Sequence, residues 1–359
     1  MNQTEFIPES YTRSLETGKE TWSSPSNIAL VKYWGKKPNQ IPENPSISFT
    51  LDYCRTTTSV AYELKEDTNN FSFELYLDGV LKPEFYEKIT TFLERIEPYM
   101  PFLKQYHFKI ETSNSFPHSS GIASSASGMS ALAVCFMAME KRLNPEMDEV
   151  FFTKKTSFLS RLGSGSACRS LEGDLVVWGA HADIEGSSDL YGVKFDGEVH
   201  DNFKNYQDTI LLVDKGEKQV SSTVGHGLMH GHPFAERRFE QAHENISKLK
   251  SIFKSGDLKA FMALVESEAL TLHAMMMTSM PYFILMKPNT LEIINKIWAY
   301  RNRTDIPVCF TLDAGANVHM LYPENHKLEV LDFVKTELVS HCQNGHFIND
   351  QVGFGAKKQ

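Results

Sequence analysis

A run of small and hydroxyl-bearing residues in the first half of the chain has the composition of an anion-binding loop. It reads PHSSGIASSASG from Pro117 to Gly128, and it leads into an apolar segment, 123–143, that is predicted to be a buried helix. Small side chains let backbone N–H groups approach a phosphate, and the dipole at a helix N-terminus favours negative charge. No Gly-Lys-Ser/Thr follows, so this is not a Walker A loop. On composition alone, a serine-rich turn that caps a helix is an equally good interpretation.

Two other segments carry cations beside residues that suit an anion. In NIALVKYWGK (27–36), Lys32 and Lys36 bracket two aromatic residues, and lysine donors with a tyrosine hydroxyl suit a diphosphate in a partly closed pocket. Taken alone, this segment fits an edge strand with surface lysines better. In GSGSACRS (163–170), two glycines permit close backbone approach, and Arg169 offers a two-point grip on a carboxylate or phosphate. The alternative for that segment is a flexible helix–strand loop.

An acidic residue, Asp313, begins the turn DAGAN between two apolar strands in the last quarter of the chain. A carboxylate in such surroundings must be hydrogen-bonded or used, so it is a candidate base or positioning group. An aspartate that merely stabilises a β-turn is the alternative interpretation.

Two weaker signals lie between residues 218 and 232. The segment KQVSST (218–223) combines a cation with hydroxyls, and His226, His230 and His232 stand in GHGLMHGHP. The spacing of the histidines superficially suggests a metal site. The neighbouring glycines argue against a helix, and no nearby acid completes a ligand set, so solvated loop histidines are expected instead.

The composition excludes several classes of protein. The chain has 359 residues, and 36 Lys+Arg against 45 Asp+Glu give a formal net charge of −9, which argues against nucleic acid as a partner. The 41% of apolar residues exclude disorder, and no apolar stretch approaches the 18 residues of a membrane span. The five cysteines are widely spaced, without a C-x-x-C pair, and no signal sequence is evident, so a cytoplasmic location is expected.

Strand-like and helix-like segments alternate in runs, which predicts an α+β fold of two domains divided near residue 205. Residues 1–20 read as a mobile or loosely packed leader, and three amphipathic helices are expected near 234–254, 257–278 and 290–303.

Taken together and in this order, the motifs resemble those of the diphosphomevalonate decarboxylase family in the GHMP kinase superfamily. NIALVKYWGK matches the family pattern N-I-A-x-x-K-Y-W-G-K, GIASSASG matches G-L-A-S-S-A-x-G, and GSGSACRS is identical. IPENPSISFTL, VSSTVG and DAGANV resemble three further family motifs. The sequence departs from the pattern at Ala316, where the family has proline, and in GHGLMHGHP, where it usually has Gly-Met. The stretch 181–208 is also poorly matched.

The resemblance implies a two-domain GHMP kinase fold. Residues 1–205 would form an ATP-binding domain like domain 2 of a ribosomal protein, and 206–359 a ferredoxin-like domain, with the active site in the cleft between them. It implies ATP- and Mg²⁺-dependent conversion of mevalonate 5-diphosphate to isopentenyl diphosphate, ADP, phosphate and CO₂ in the mevalonate pathway of isoprenoid biosynthesis. It also implies a homodimer, while the acidic charge and the lack of a long apolar stretch leave neither nucleic acid nor membrane as an expected partner.

The resemblance further implies roles for particular residues. Asp313 would orient the 3-hydroxyl and accept its proton, Lys32 would keep Asp313 ionised, and Arg169, supported by Asn27, would grip the substrate carboxylate. Substrate binding would involve Arg169 and five further residues: Tyr33, Lys36, Ser166, Ser221 and Ser222. ATP would be bound by Ser113, Asn114, Pro117, Ser120, Gly121, Ala123, Ser124 and Ser125. Mg²⁺ would reach Ser124 or Ser125 through the nucleotide, without a dedicated protein metal site.

Three alternatives remain open from the sequence. A relative could stop at phosphorylation as a mevalonate 3-kinase, or it could decarboxylate mevalonate monophosphate. A nucleotide-binding regulator with inactive chemistry is the alternative from a different class, although the polar residues are intact at all four main motifs.

Overall fold

The described part of the chain folds into two main sheets covered by helices, with a small two-stranded sheet between residues 36 and 42. The computed structural model describes residues 3–11, 13–117, 122–215 and 222–359. In chain order, the strands over these ranges are β1 (Thr17–Val31), β2 (Lys36–Lys37), β3 (Ile41–Pro42), β4 (Ser46–Leu64), β5 (Ser72–Leu77), β6 (Val80–Leu81), β7 (Tyr106–Asn114), β8 (Leu175–Trp178), β9 (Gly192–Lys194), β10 (Gln207–Leu211), β11 (Cys309–Thr311), β12 (Val318–Tyr322), β13 (Phe347–Gln351) and β14 (Lys357–Lys358). The α-helices are α1 (Tyr86–Ile96), α2 (Ser124–Leu143), α3 (Glu149–Gly163), α4 (Ser222–Gly227), α5 (Ala235–Ser255), α6 (Leu258–Met277), α7 (Pro288–Thr304) and α8 (Lys327–Phe333). This is the predicted α+β architecture of two domains.

The first sheet is built around two long antiparallel strands, β1 and β4. Its described strands follow the order β14-β1-β4-β7-β5-β6, and β8 and β9 continue from β4. The register between β1 and β4 shifts just after Pro25, a residue that has no backbone N–H to give to the ladder. β1 continues to pair with β4 on both sides of this shift.

Helix α2 packs on this sheet and against α3, and nearly all its side chains from Ala126 to Leu143 are buried. Its alanines and serines allow this close approach from several sides, which confirms the prediction of a helix buried on most sides.

The second sheet has the described order β11-β12-β10-β13. Helices α6 and α7 pack on its strand β11, and the long helix α5 packs against α6 and contacts β1 and β4. These are the three amphipathic helices predicted from periodicity, with bounds that differ by one or two residues from the expectation. Their apolar faces are buried, as at Ile293 and Ile297 of α7. No helix within the described ranges is long and apolar enough to cross a membrane.

The prediction of a loose leader over residues 1–20 is wrong. Phe6 is fully buried, and its ring stacks on Phe158 with centroids 4.3 Å apart. Tyr11 donates a hydrogen bond to Glu140 Oε1 at 3.2 Å, and β1 already begins at Thr17. The error arose because single buried aromatic residues in a polar segment leave no periodic pattern.

The two sheets are joined by the last part of the chain. Asp350 of β13 accepts hydrogen bonds from the backbone N–H groups of residues 52, 53 and 54 in β4, at 2.9, 2.8 and 2.7 Å. The chain then returns to the first sheet, where β14 pairs with β1 at Trp22 and Ser23. These contacts hold the two domains together away from Lys32, which follows the last residue of β1.

Candidate active site

A lysine and an aspartate from different sheets meet in the cleft. Lys32 directly follows the last residue of β1, and Asp313 lies in the tight turn between β11 and β12. Lys32 Nζ lies 3.0 Å from Asp313 Oδ1, with the lysine side chain 2% exposed and the aspartate 27% exposed. Burial lowers the pKa of Lys32, while the carboxylates of Asp313 and Glu268 oppose that shift. The pair is therefore a partly desolvated ion pair whose acidic partner still faces the cleft.

A buried arginine lies close to this pair. Arg169 stands in the 3₁₀ turn Gly165–Ser170 after α3 and is 3% exposed. Its Nε donates to Asn27 Oδ1 at 3.4 Å, and its Nη1 donates to Ser46 Oγ. Asn27 is itself fixed, because its Nδ2 donates to Ser170 Oγ at 2.7 Å. The guanidinium is thus held in one orientation by neutral groups.

No carboxylate of the described residues lies within ion-pair distance of Arg169. Burial lowers the pKa of Arg169. The charge of Arg169 also lowers the pKa of Lys32, which indicates that the two cations are close. A buried cation without an ion-pair partner is costly unless an anion joins it. The arrangement therefore favours an anionic ligand beside the Lys32–Asp313 pair.

The aromatic part of the cleft contains His226, which was expected to be a solvated loop residue. His226 of α4 is 7% exposed, and its ring lies 4.2 Å from the ring of Tyr33 and 4.5 Å from that of Trp34. Its Nδ1 accepts a hydrogen bond from Gly35 N–H at 3.0 Å, so the proton of the neutral ring is on Nε2. Burial, followed by the charges of Lys36 and Arg169, lowers the pKa of His226 to about 3.

The expectation of solvated loop histidines is consequently wrong for two of the three. His232 is 8% exposed and lies 3.1 Å from the carbonyl oxygen of Met275, whereas His230 is exposed. Gly225 and Gly227 both lie in helix α4, so these glycines do not prevent a helical turn. Among the described residues, no group of three or more histidine, cysteine or acidic side chains could hold a metal ion.

A second hollow lies between α2 and the first sheet. Ser124 and Ser125, at the start of α2, line it together with Lys88, whose Nζ donates to Ser125 Oγ at 3.2 Å. The sheet contributes side chains from alternate positions of β4 and β7, namely Thr56, Thr58, Thr112 and Asn114. The residue before the helix, Ala123, has a φ of 44°, a left-handed conformation that is uncommon for alanine. Such strain is found where a loop must present its backbone in a particular direction.

Not all residues expected to bind ATP face this hollow. Asn114 does, but Ser113 is next to it in β7 and lines a separate hollow with Ser23 and Thr57 on the opposite face of the sheet. Successive side chains of a strand point to opposite faces of its sheet, so the assignment of both residues to ATP stays a prediction. Pro117 lies at the end of the described segment before α2. Ser120, Gly121 and Ser221 lie outside the described residues, and Ser222 begins α4.

Comparison with known proteins places these features in a family. The family description "Diphosphomevalonate decarboxylase-like N-terminal domain" matches residues 24–190, and "Mevalonate 5-diphosphate decarboxylase C-terminal domain" matches residues 209–357. A diphosphomevalonate decarboxylase of Eremothecium gossypii is 31% identical over 335 residues, which are 87% of this chain and 79% of the relative. The chain belongs to the diphosphomevalonate decarboxylase family.

Solved structures of diphosphomevalonate decarboxylases share the fold. The Staphylococcus aureus mevalonate diphosphate decarboxylase is 26% identical and superposes with a TM-score of 0.81, covering 96% of this chain and 98% of its own. A structure described as MDDEF in complex with MVAPP, AMPPCP and magnesium is 28% identical, with a TM-score of 0.80, covering 96% of this chain and 99% of its own.

Several residues around the site were not found from the sequence of this family member. Ser46, which holds Arg169, stands in the family-like segment IPENPSISFTL, so its position was a usable signal. Arg238, Glu268 and His273 carry no such signal, because they lie singly in the long helices α5 and α6. A charged residue on a helix face that is otherwise apolar, as at Glu268, was the available indication.

Proposed function

We propose that this chain catalyses the ATP-dependent decarboxylation of mevalonate 5-diphosphate to isopentenyl diphosphate, with release of ADP, phosphate and CO₂. The observation that carries this proposal is the buried Arg169, held by neutral groups beside the Lys32–Asp313 ion pair. The substrate carries a carboxylate, which needs a cation such as Arg169. It also carries a 3-hydroxyl, which needs a base such as Asp313.

The first step transfers a phosphoryl group to the tertiary 3-hydroxyl. Asp313 accepts the hydroxyl proton as the oxygen attacks the γ-phosphorus of ATP, and ADP leaves with the electrons of the broken P–O bond. Lys32, 3.0 Å from Asp313, keeps the carboxylate ionised before the transfer. Positioning and charge neutralisation account for most of the catalysis of phosphoryl transfer.

The second step is an elimination. The C3–O bond breaks and phosphate leaves, and the electrons of the C–COO⁻ bond then form the new double bond as CO₂ departs. Arg169 binds the carboxylate and fixes its plane, so that the breaking C–C bond stays aligned with the electron-poor C3. The hydrogen bonds from Arg169 to Asn27 and Ser46 prevent rotation of the guanidinium.

The diphosphate of the substrate lies toward Tyr33, Lys36 and His226, with Ser221 or Ser222 as further donors. Lys36 already lies close enough to His226 for its charge to depress the histidine pKa. The hollow beside α2 receives the nucleotide, whose phosphates meet the helix N-terminus at Ser124 and Ser125.

Mg²⁺ fits the hydroxyl oxygens of Ser124 or Ser125 together with ATP phosphates, because oxygen donors are those it prefers. It supplies charge neutralisation on the triphosphate when bound. We propose that the ion arrives with the nucleotide, as its phosphates supply further oxygen donors.

The domain boundary is proposed near residue 205, before β10. A cytoplasmic location is supported by the five cysteines, all buried and free.

A homodimer is supported by the apolar side chains of Met280, Tyr282 and Ile284, which are 82%, 72% and 61% exposed. Sedimentation velocity at two protein concentrations tests the dimer.

The proposed reaction is tested by measuring ADP release and trapped CO₂ with three substrates in parallel: mevalonate, mevalonate monophosphate and mevalonate 5-diphosphate. We expect equimolar ADP and CO₂ with the diphosphate. ADP without CO₂ would instead identify a kinase, and preference for the monophosphate would contradict the assignment of the diphosphate subsite. ATP binding without turnover of any substrate would favour the regulator.

A further inference from the structure

The main chain of Lys32 is held by a buried ion pair from the second domain. Glu268 of α6 and Arg238 of α5 have side chains that are 0% exposed, and Arg238 Nη2 lies 2.6 Å from Glu268 Oε2. The same Oε2 accepts a hydrogen bond from the Lys32 backbone N–H at 2.9 Å. Arg238 Nη2 donates to the Lys32 carbonyl oxygen at 2.9 Å. Both polar groups of the Lys32 main chain are therefore bound by one pair of charges.

The other oxygen of Glu268 is also fully used. Oε1 accepts from Arg238 Nη1 at 3.0 Å and from Asn245 Nδ2 at 2.6 Å. A carboxylate with four hydrogen bonds in a dry environment has little freedom to move. It therefore defines where β1 ends relative to α6.

The same helix also holds the second member of the site pair. His273, on α6 after Glu268 and 1% exposed, lies with its Nε2 3.1 Å from the backbone carbonyl oxygen of Asp313. A carbonyl oxygen only accepts, so Nε2 carries a proton and donates it to this bond. Burial lowers the pKa of His273 to about 4, which leaves the ring neutral near pH 7.

We propose that Glu268, Arg238 and His273 are positioning residues, and that α6 sets the distance between Lys32 and Asp313 by holding the backbone of both. The proposal rests on the proposed function in so far as that distance serves phosphoryl transfer. None of the three side chains needs to touch the substrate for this role. Its distinguishing consequence is a loss of turnover that exceeds the loss of stability.

The chain offers a matched control for a buried ion pair. Lys155 and Glu140, between α3 and α2, are each 1% exposed, and their charged atoms are 2.6 Å apart. They contact neither Lys32 nor Asp313. Neutralising either Glu140 or Glu268 removes one buried negative charge and leaves a buried cation without its partner, so both changes are expected to lower stability.

The experiment compares Glu268→Gln with Glu140→Gln. For Glu268→Gln we expect kcat to fall by about 10²-fold, the effect of misplacing a group by about 1 Å, while both KM values change by less than about threefold. Glu140→Gln should lose comparable thermal stability with kcat within about threefold of the wild type. Equal kcat values in the two variants, at equal melting temperatures, would overturn the proposal.

A second pair of variants tests the histidine and covers the case in which Glu268→Gln does not fold. His273→Gln places an amide N–H near the position of Nε2 and should keep most of the turnover. His273→Leu has no donor and should lower kcat without raising KM. Equal activity of these two variants would remove His273 from the proposal.

Failure of the proposed function would show separately, as an inactive wild type. The positioning role is then still measured by competitive acetylation of lysines in the folded protein. Mass spectrometry gives the extent of acetylation at Lys32. Glu268→Gln should make the Lys32 amine more reactive by releasing it from Asp313, whereas Glu140→Gln should not. Unchanged reactivity of Lys32 would overturn the inference whatever the substrate is.

Discussion

Lys32 and Asp313 are separated by 281 residues in the sequence, and their charged atoms lie 3.0 Å apart in the structure. Lys32 follows β1 of the first domain, and Asp313 lies in a turn of the second. Neither domain contains the pair by itself. The geometry of the site consequently depends on how firmly the domains are docked, and the following changes test its separate parts.

Replacing Asp313 with asparagine should abolish turnover while leaving ATP binding intact. The amide keeps the shape of the side chain but cannot accept the hydroxyl proton, and a lost general base commonly lowers rates by about 10²–10⁴-fold. Steady-state kinetics with calorimetric titration of ATP measures both quantities. Turnover within about threefold of the wild type would remove Asp313 from the mechanism.

Replacing Arg169 with lysine should lower kcat more than it raises the KM for mevalonate 5-diphosphate. Lysine keeps a positive charge but not the planar two-point grip, and it loses the paired hydrogen bonds to Asn27 and Ser46. Melting temperatures control for misfolding. A rise of KM alone would mean that Arg169 binds the ground state without orienting the carboxylate.

Replacing Ser124 with leucine should weaken ATP binding and spare binding of mevalonate 5-diphosphate alone. The bulky side chain would occupy the hollow at the start of α2, where the benefit of the helix dipole fades within a turn. Separate calorimetric titrations of each ligand, alongside a melting curve, measure the effect. A destabilised variant that binds both ligands equally less well would contradict the nucleotide assignment.

Replacing His226 with methionine should flatten the acid dependence of stability. The pKa of His226 is lowered to about 3 by burial, against an ordinary value of 6.5 in the unfolded chain. Between these values the unfolded state binds a proton that the native state does not, so stability is fully present above pH 6.5 and falls as the pH decreases. One such proton gives a slope of up to about 1.4 kcal/mol per pH unit.

Urea unfolding at pH 7, 6, 5 and 4 measures this slope in both proteins. His273, whose pKa is lowered to about 4, is present in both proteins. Its contribution to the pH dependence of the unfolding free energy should therefore remain in the variant. An identical slope in the two proteins would show that His226 is not protected from protonation by the fold.

Replacing Asp350 with asparagine should lower the free energy of unfolding by about 1–3 kcal/mol while changing each KM by less than about twofold. The carboxylate accepts three backbone hydrogen bonds from residues 52–54, and an amide nitrogen turned toward one of these N–H groups cannot replace an oxygen. Asp201→Asn, at an exposed ion pair, is the control and should be nearly neutral. Equal stabilities would show that the contact between the sheets contributes little.

The candidate site was predictable where its residues lie in short, ordered motifs. Lys32, Arg169 and Asp313 each stand in a segment whose residue types already suggested anion or hydroxyl chemistry, and the structure places them in one cleft. Such motifs do not say which residues of a strand share a face, because a shift of one residue along a strand moves a side chain to the other face.

The residues that were missed depend on contacts between distant segments. Periodicity places Glu268 on a helix face, but it does not reveal that this face meets the main chain of Lys32 in another domain. His226 was misplaced because glycines were taken to oppose a helix. A side chain at Gly225 would in fact collide with Trp34, whose ring lies 2.6 Å from the position of a Cβ there. Tertiary packing explains that glycine, and local conformational preference does not.

The pairing of β14 with β1 also bears on how the polypeptide is made. Gln359 and Ser23, whose side chains are hydrogen-bonded at this edge, are 336 residues apart, so β1 leaves the ribosome long before its partner exists. At about 5–20 residues per second, the edge of β1 waits on the order of tens of seconds. An open strand edge is a template for pairing with other chains, so aggregation of nascent chains is most favoured during that interval. A slower rate of translation initiation spaces the ribosomes along the message. It should therefore increase the yield of folded protein more for this chain than for a chain whose sheet closes early.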